Sequence, residues 1–207
     1  PRHVEPGSDD AGEVAARKLA RLVAIGKPRQ PQAEAWADNI GKLVQQLHVE
    51  QGVVGVVVNR VASARSIAAS LSAAGEDVAM LTGRMRPHER VDAERRARQW
   101  ADPQRDDADA KRVFVVATQS IEVGADFSFD GLITEASPYS SLRQRFGRLD
   151  RRGRRSAAGT PAPALIVGVA SALAQGPDPV YGNAMKAMWD ALKDTFGEHQ
   201  FDVGPRS

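Results

Sequence analysis

Seven arginines, Arg143, Arg145, Arg148, Arg151, Arg152, Arg154 and Arg155, crowd one short stretch of the chain. Within it Gln144, Arg148 and Arg151 recur at i, i+4, i+7, and Leu142, Phe146 and Leu149 recur at the same spacing two residues earlier. Two residues turn a helix by about 200°, so on one helix the polar set and the apolar set face opposite ways. A guanidinium is always charged and forks onto phosphate oxygens, so two of them with an amide on a rigid support suit a phosphoryl group in transfer. That is arginine-finger chemistry. The same spacing also describes a basic, solvated helix end, and spacing alone does not choose between the two.

Positioning these groups requires a defined helix. Ser141-Leu142-Arg143-Gln144 reads as a capping box, which places the helix start near Ser141, and Gly147 would let another backbone approach. Behind it, six apolar, β-branched runs read as strands, at 18–24, 53–58, 78–81, 113–117, 132–134 and 165–169. Most lack polar alternation, so they should be buried on both faces.

Helical patterns alternate with the strands. One starts with Ser63 as cap, runs through Ala64, Ile67, Ala68 and Leu71 and stops at Gly75; Pro87 opens another, and 36–47 and 184–192 give two more. The stretches 100–111 and 156–163 have no periodicity and read as surface loops. Strand and helix alternation gives an α/β fold with a mainly parallel sheet of about six strands flanked by helices.

With 42% hydrophobic and 26% charged residues among 207, the chain has the balance of one globular domain. It has no cysteine, so disulfides and cysteine metal sites are excluded. No secretory leader and no run of about eighteen apolar residues is found, so the expectation is a cytoplasmic protein with no membrane association. The formal charge of +2 is too small to argue nucleic-acid binding from the total. A Pro at position 1 in place of Met suggests that the numbering starts inside a larger protein or after processing. His3, His48, His88 and His199 stand far apart, without zinc-ligand spacing. No G-x-x-x-x-G-K-S/T occurs, so nothing in the chain can cradle a triphosphate as a Walker A loop does.

The stretch Gln144-Arg145-Phe146-Gly147-Arg148-Leu149-Asp150-Arg151 resembles motif VI of superfamily 2 nucleic-acid helicases. Upstream, 117–126 (ATQSIEVGAD) resembles motif V, Val56-Val57-Val58-Asn59-Arg60 resembles motif IV, and Leu81-Thr82-Gly83-Arg84 with 87–90 resembles the next element. Thr118-Gln119 with Glu122, 130–134 (DGLIT), Ser137-Pro138 and 178–182 (DPVYG) are similar to the helicase-nuclease of type I CRISPR systems.

The resemblance covers about 53–192 and implies the second RecA-like lobe of such an enzyme, a three-layer α/β sandwich. It implies a helicase domain over 31–195, after an N-terminal extension or linker with a possible first strand (1–30) and before a tail (196–207). By the resemblance, Arg148 and Arg151 act as arginine fingers and Gln144 orients the γ-phosphate or the attacking water. Gly124 and Asp126 lie against the nucleotide, the carboxylate accepting from ribose hydroxyls or holding an arginine. Thr118, Asn59, Ser63, Thr82 and Arg84 form a phosphate track for nucleic acid, although each alone is more often a turn or cap. Glu122 would pair with Arg148 or Arg145, and Tyr139, Phe127 and Phe129 either stack on bases or pack.

The implied substrates and partners are ATP with Mg²⁺, held mainly by a first RecA-like lobe; single-stranded DNA; a histidine-aspartate nuclease domain of the same protein; and an RNA-guided CRISPR surveillance complex. On this reading the chain alone is inactive. The competing readings are the equivalent lobe of an RNA helicase or of a restriction or repair translocase, and a non-catalytic α/β interaction module.

Overall fold

All six runs form strands. In the computed structural model, which describes residues 16–83, 85–104, 111–121 and 126–204, they are β1 (Lys18–Ile25), β2 (Val53–Val57), β3 (Asp77–Leu81), β4 (Val113–Ala117), β5 (Gly131–Glu135) and β6 (Ala162–Val169). A seventh strand, β7 (Phe201–Asp202), is too short to show a hydrophobic period. The sheet order is β3-β4-β2-β5-β6-β1-β7, and every pairing except β1 with β7 is parallel. β1 and β7 come from outside 31–195 yet belong to the same sheet.

Every residue of β2, β4 and β5 is buried, which is the pattern of parallel strands covered on both faces. The helices are α1 (Gln32–Leu47), α2 (Val61–Ala73), α3 (Pro87–Trp100), α4 (Tyr139–Phe146), α5 (Arg154–Ala157), α6 (Ala170–Ala174) and α7 (Ala184–Phe196), with a 3₁₀ turn at Gln119–Ile121. The result is a RecA-like α/β sandwich. α1 buries Trp36, Ile40, Leu43 and Leu47 along one stripe. Two strand glycines make room for aromatic rings: a Cβ at Gly55 would come within 2.6 Å of Phe129, and one at Gly168 within 2.6 Å of Trp189. Among the described residues no helix is long and apolar enough to cross a membrane.

Helix starts depart from the sequence reading where proline intervenes. Pro31 precedes α1, so the helix begins four residues before Trp36. Pro138 precedes α4, so Ser141 lies inside the helix and no capping box forms. Ser63 is likewise the third residue of α2 and caps nothing. The predicted stop at Gly75 holds, with φ +82, and Pro87 is the first residue of α3. The region 100–111 starts inside α3, and its residues 105–110 lie outside the described residues. In 156–163, Ser156 and Ala157 end α5 and β6 begins at Ala162.

Candidate functional site

Strands β2 to β6 run parallel, so the residues after them gather on one edge of the sheet, where α/β folds bind ligands. Asn59 follows β2, Thr82 follows β3, Thr118 follows β4 and Ser137 follows β5, and all four are buried. The Thr118 N–H donates to the Leu81 carbonyl at 3.1 Å and Ser120 Oγ donates to the same oxygen at 3.2 Å, tying the ends of β3 and β4 together. Ser63 is buried in the first turn of α2; its hydroxyl and that of Thr82 have no hydrogen-bond partner among the described residues. Arg84, Glu122 and Gly124 lie outside the described residues.

The arginine-rich segment does not form the single long helix its spacing predicts. α4 ends at Phe146, and Gly147 caps it. Gly147 makes no room for a second backbone, since a Cβ there would meet only its own helix carbonyls, at 3.3 Å and 3.5 Å. Leu149 instead forms a bridge with Phe129: Phe129 N–H donates to the Arg148 carbonyl at 2.8 Å, and Asp150 N–H donates to the Phe129 carbonyl at 2.8 Å. Asp150 then takes φ +42 and turns the chain. The bridge buries both Leu149 and Phe129 in the core.

Gln144 therefore sits exposed on α4, and Arg148 and Arg151 sit on the tight turn after it. Arg151 Nε pairs with Asp126 Oδ1 at 3.0 Å, with side chains 34% and 57% exposed, and its N–H donates to Ser128 Oγ at 3.2 Å. The turn is fastened at both ends. Buried Lys18 donates from Nζ to the Phe146 carbonyl at 2.9 Å, capping α4. Asp150 accepts from the N–H groups of Arg155 and Ser156, both at 3.1 Å, and from Ser156 Oγ at 3.0 Å, holding the start of α5.

Beside this turn lies a buried polar network, of whose members the sequence reading placed only Asn59 in the site. Arg145, 1% exposed, donates to Thr134 Oγ1 at 3.0 Å, to the Glu135 carbonyl at 3.1 Å, to Asn59 Oδ1 at 3.1 Å and to Tyr181 Oη at 3.4 Å. The Asn59 N–H donates to Glu135 Oε2 at 2.8 Å, and its Nδ2 donates to the Ala136 carbonyl at 2.8 Å. Arg60 pairs with Asp178 at 2.9 Å at the rim. Burial pushes the Glu135 carboxyl up to about 7 against the lowering pull of the Asn59 N–H, Arg145 and Arg60, with Asp178 adding to the rise. One signal in the sequence points to Arg145: it lies three residues after Leu142, on the apolar side of α4. Asn59 thus turns into the molecule, and Phe127 and Phe129 pack in the core.

Among the described residues no group of three His, Asp or Glu is placed to hold a metal ion. The chemical capacity of the site is two partly buried guanidiniums on a stiff turn, with an exposed amide on the helix before it. These groups can stabilise phosphoryl charge, but they supply no cradle for a triphosphate.

The family described as "CRISPR-associated nuclease/helicase Cas3, C-terminal" matches residues 50–154 of the 207. No curated protein matches the sequence. Among solved structures, T. fusca Cas3-ADP is 18% identical with a TM-score of 0.67, over 92% of this chain and 22% of that one. A chain of a "CRISPR RNA-guided surveillance complex, pre-nicking" is 17% identical with a TM-score of 0.66, over 92% and 24%. The C-terminal domain of the DEAD-box protein Dbp5 is 15% identical with a TM-score of 0.51, over 89% and 87%. At these identities the likeness is one of fold, and the chain spans about a quarter or less of the two CRISPR-related chains.

Proposed function

This chain belongs to the Cas3 C-terminal family, and from that premise we propose that it is the second RecA-like lobe of an ATP-dependent single-stranded DNA translocase acting in type I CRISPR interference. The observation that carries the proposal is the arginine turn: Arg148 and Arg151 stand partly buried on a segment fastened by Leu149, Asp150 and Lys18, with Asp126 holding Arg151. Preorganised cations of this kind lower a barrier because they need no reorganisation when charge develops.

In the proposed reaction water attacks the γ-phosphorus of ATP, the bond to the bridging β-oxygen breaks, and ADP and phosphate leave. Negative charge grows on the bridging and equatorial oxygens. Arg148 and Arg151 donate to those oxygens from across the cleft, and Gln144 orients the attacking water or the γ-phosphate. Asp126 keeps the Arg151 guanidinium aimed; its other option is a ribose hydroxyl. The facing lobe, absent from this sequence, holds the triphosphate and Mg²⁺, so this chain alone is proposed to turn over no ATP. A histidine-aspartate nuclease domain lies elsewhere in the longer protein.

The strand track belongs to the edge after β3 and β4. Thr82 and Thr118 lie there with Ser63 on the neighbouring helix, and hydroxyls and backbone amides at strand ends contact phosphates without reading sequence. Asn59 contributes by fixing this edge to Arg145, Arg84 completes the proposed strand contacts, and Gly124 belongs with Asp126 to the proposed nucleotide contacts. Closure of the two lobes around the strand on ATP binding, and opening on hydrolysis, would step the protein along DNA. An RNA-guided surveillance complex is the proposed partner that loads it. ATP turnover by the longer protein, with and without single-stranded DNA and with each arginine replaced by Ala, tests the reading.

A further inference from the structure

Beyond β5 the chain leaves the sheet on a path held at each step. The Glu135 carboxylate accepts the Asn59 N–H at 2.8 Å, Asn59 Nδ2 donates to the Ala136 carbonyl at 2.8 Å, and the Ala136 N–H donates to the Val167 carbonyl at 2.8 Å. Pro138 then fixes φ at −56°, and its carbonyl accepts the Leu142 N–H at 3.0 Å. On this stiff support Tyr139 is 67% exposed. One helical turn on, at i+4, Arg143 is also exposed, and neither side chain has a hydrogen-bond or ion-pair partner among the described residues. Exposed Gln144 lies beside them.

A tyrosine ring left in water keeps apolar area that packing would otherwise remove. Here the ring stands on a segment anchored by these hydrogen bonds, at the edge of the sheet where α/β folds bind ligands, with a guanidinium one turn away. A flat ligand with a phosphate attached matches both groups. A second protein would need a wider apolar surface than one ring provides.

We propose that Tyr139 and Arg143 form a nucleobase-stacking site, the ring lying against a base and the guanidinium meeting the adjoining phosphate. The proposal rests on the helicase reading for the kind of ligand, and the base has two sources, a single strand or the adenine of ATP. In either case the tyrosine binds a π-face and reads little sequence, as a translocating protein requires.

The test uses the longer protein and its Tyr139→Ala, Tyr139→Trp and Arg143→Gln variants. The probes are a labelled oligothymidylate, an abasic strand of equal length and a fluorescent ATP analogue. For a strand base, the wild type binds the base-bearing strand about tenfold more tightly than the abasic one, Tyr139→Ala removes that preference and Tyr139→Trp keeps it. Arg143→Gln weakens both strands alike and lowers the salt slope by about one. For adenine, the strand preference survives Tyr139→Ala and affinity for the ATP analogue falls about tenfold. Strand preference and ATP affinity both unchanged in Tyr139→Ala, in protein whose circular dichroism matches wild type, overturn the site. The helicase reading fails separately, through ATP turnover indifferent to Arg148→Ala, whatever the strand preference shows.

Discussion

Arg145 Nη2 donates to Asn59 Oδ1 at 3.1 Å, joining α4 to the end of β2 across 86 residues of sequence. The bond lies in a buried network that also takes in Thr134, Glu135 and Tyr181, so removing the guanidinium strips partners from several groups that water cannot reach. We expect Arg145→Met to destabilise the chain by about 3–5 kcal/mol, the cost of breaking a buried polar pair. Urea denaturation gives the value, and a change below about 1 kcal/mol would show that the network relaxes around the loss.

Glu135 sets a pH dependence of stability. Its folded-state value is raised from 4.5 to about 7, so the folded chain binds the proton more tightly than the unfolded chain. The contribution of this group is complete below 4.5 and is lost as pH rises to about 7, an amount on the order of 3 kcal/mol. Glu135→Gln keeps an acceptor for the Asn59 N–H and should flatten that slope. Denaturation midpoints taken across this window for both proteins decide the matter.

Gly55 makes room for the ring of Phe129, whose backbone holds the arginine turn. A Cβ there would press to 2.6 Å of the Phe129 ring, and Phe129 makes both backbone bonds that bracket Leu149. We expect Gly55→Ala to cost about 1–3 kcal/mol through overpacking and to lower ATP turnover of the longer protein through the displaced turn. Thermal melts and turnover measured together would reveal it, since unchanged turnover in a destabilised protein would separate the turn from Phe129.

Asp126 should separate aiming from stability. The pair with Arg151 is largely solvated, so Asp126→Asn should alter folding free energy by less than about 0.5 kcal/mol. Turnover of the longer protein should nevertheless fall between about tenfold and a hundredfold, as misplacing a reacting group does. Turnover equal to wild type would assign Asp126 to the surface and to nothing else.

The sheet was legible because its central strands are continuous apolar runs, and an amphipathic period marked the helices between them. Helix starts were less so: Pro31 and Pro138 set the entries to α1 and α4, overriding Ser141 and its capping pattern. The spacing of Gln144, Arg148 and Arg151 pointed to one continuous helix, whereas Arg148 and Arg151 stand on the turn after it. That spacing carries no trace of the long-range bridge between Leu149 and Phe129 that ends the helix. Only its place three residues after Leu142 set Arg145 apart from the arginines around it, because burial of its charge depends on Thr134, Asn59 and Tyr181, which its local spacing does not reveal. Asn59 belonged to the right edge of the sheet, yet its side-chain direction is decided by Arg145 and Ala136.

The most direct measurement is DNA-stimulated ATP hydrolysis by the longer protein, wild type against Arg148→Ala, with DNA affinity measured in parallel. Turnover is expected to fall about a thousandfold while DNA affinity holds. Turnover retained in Arg148→Ala would contradict that expectation, and the arginine turn would then be a structural feature of a lobe whose catalysis lies elsewhere.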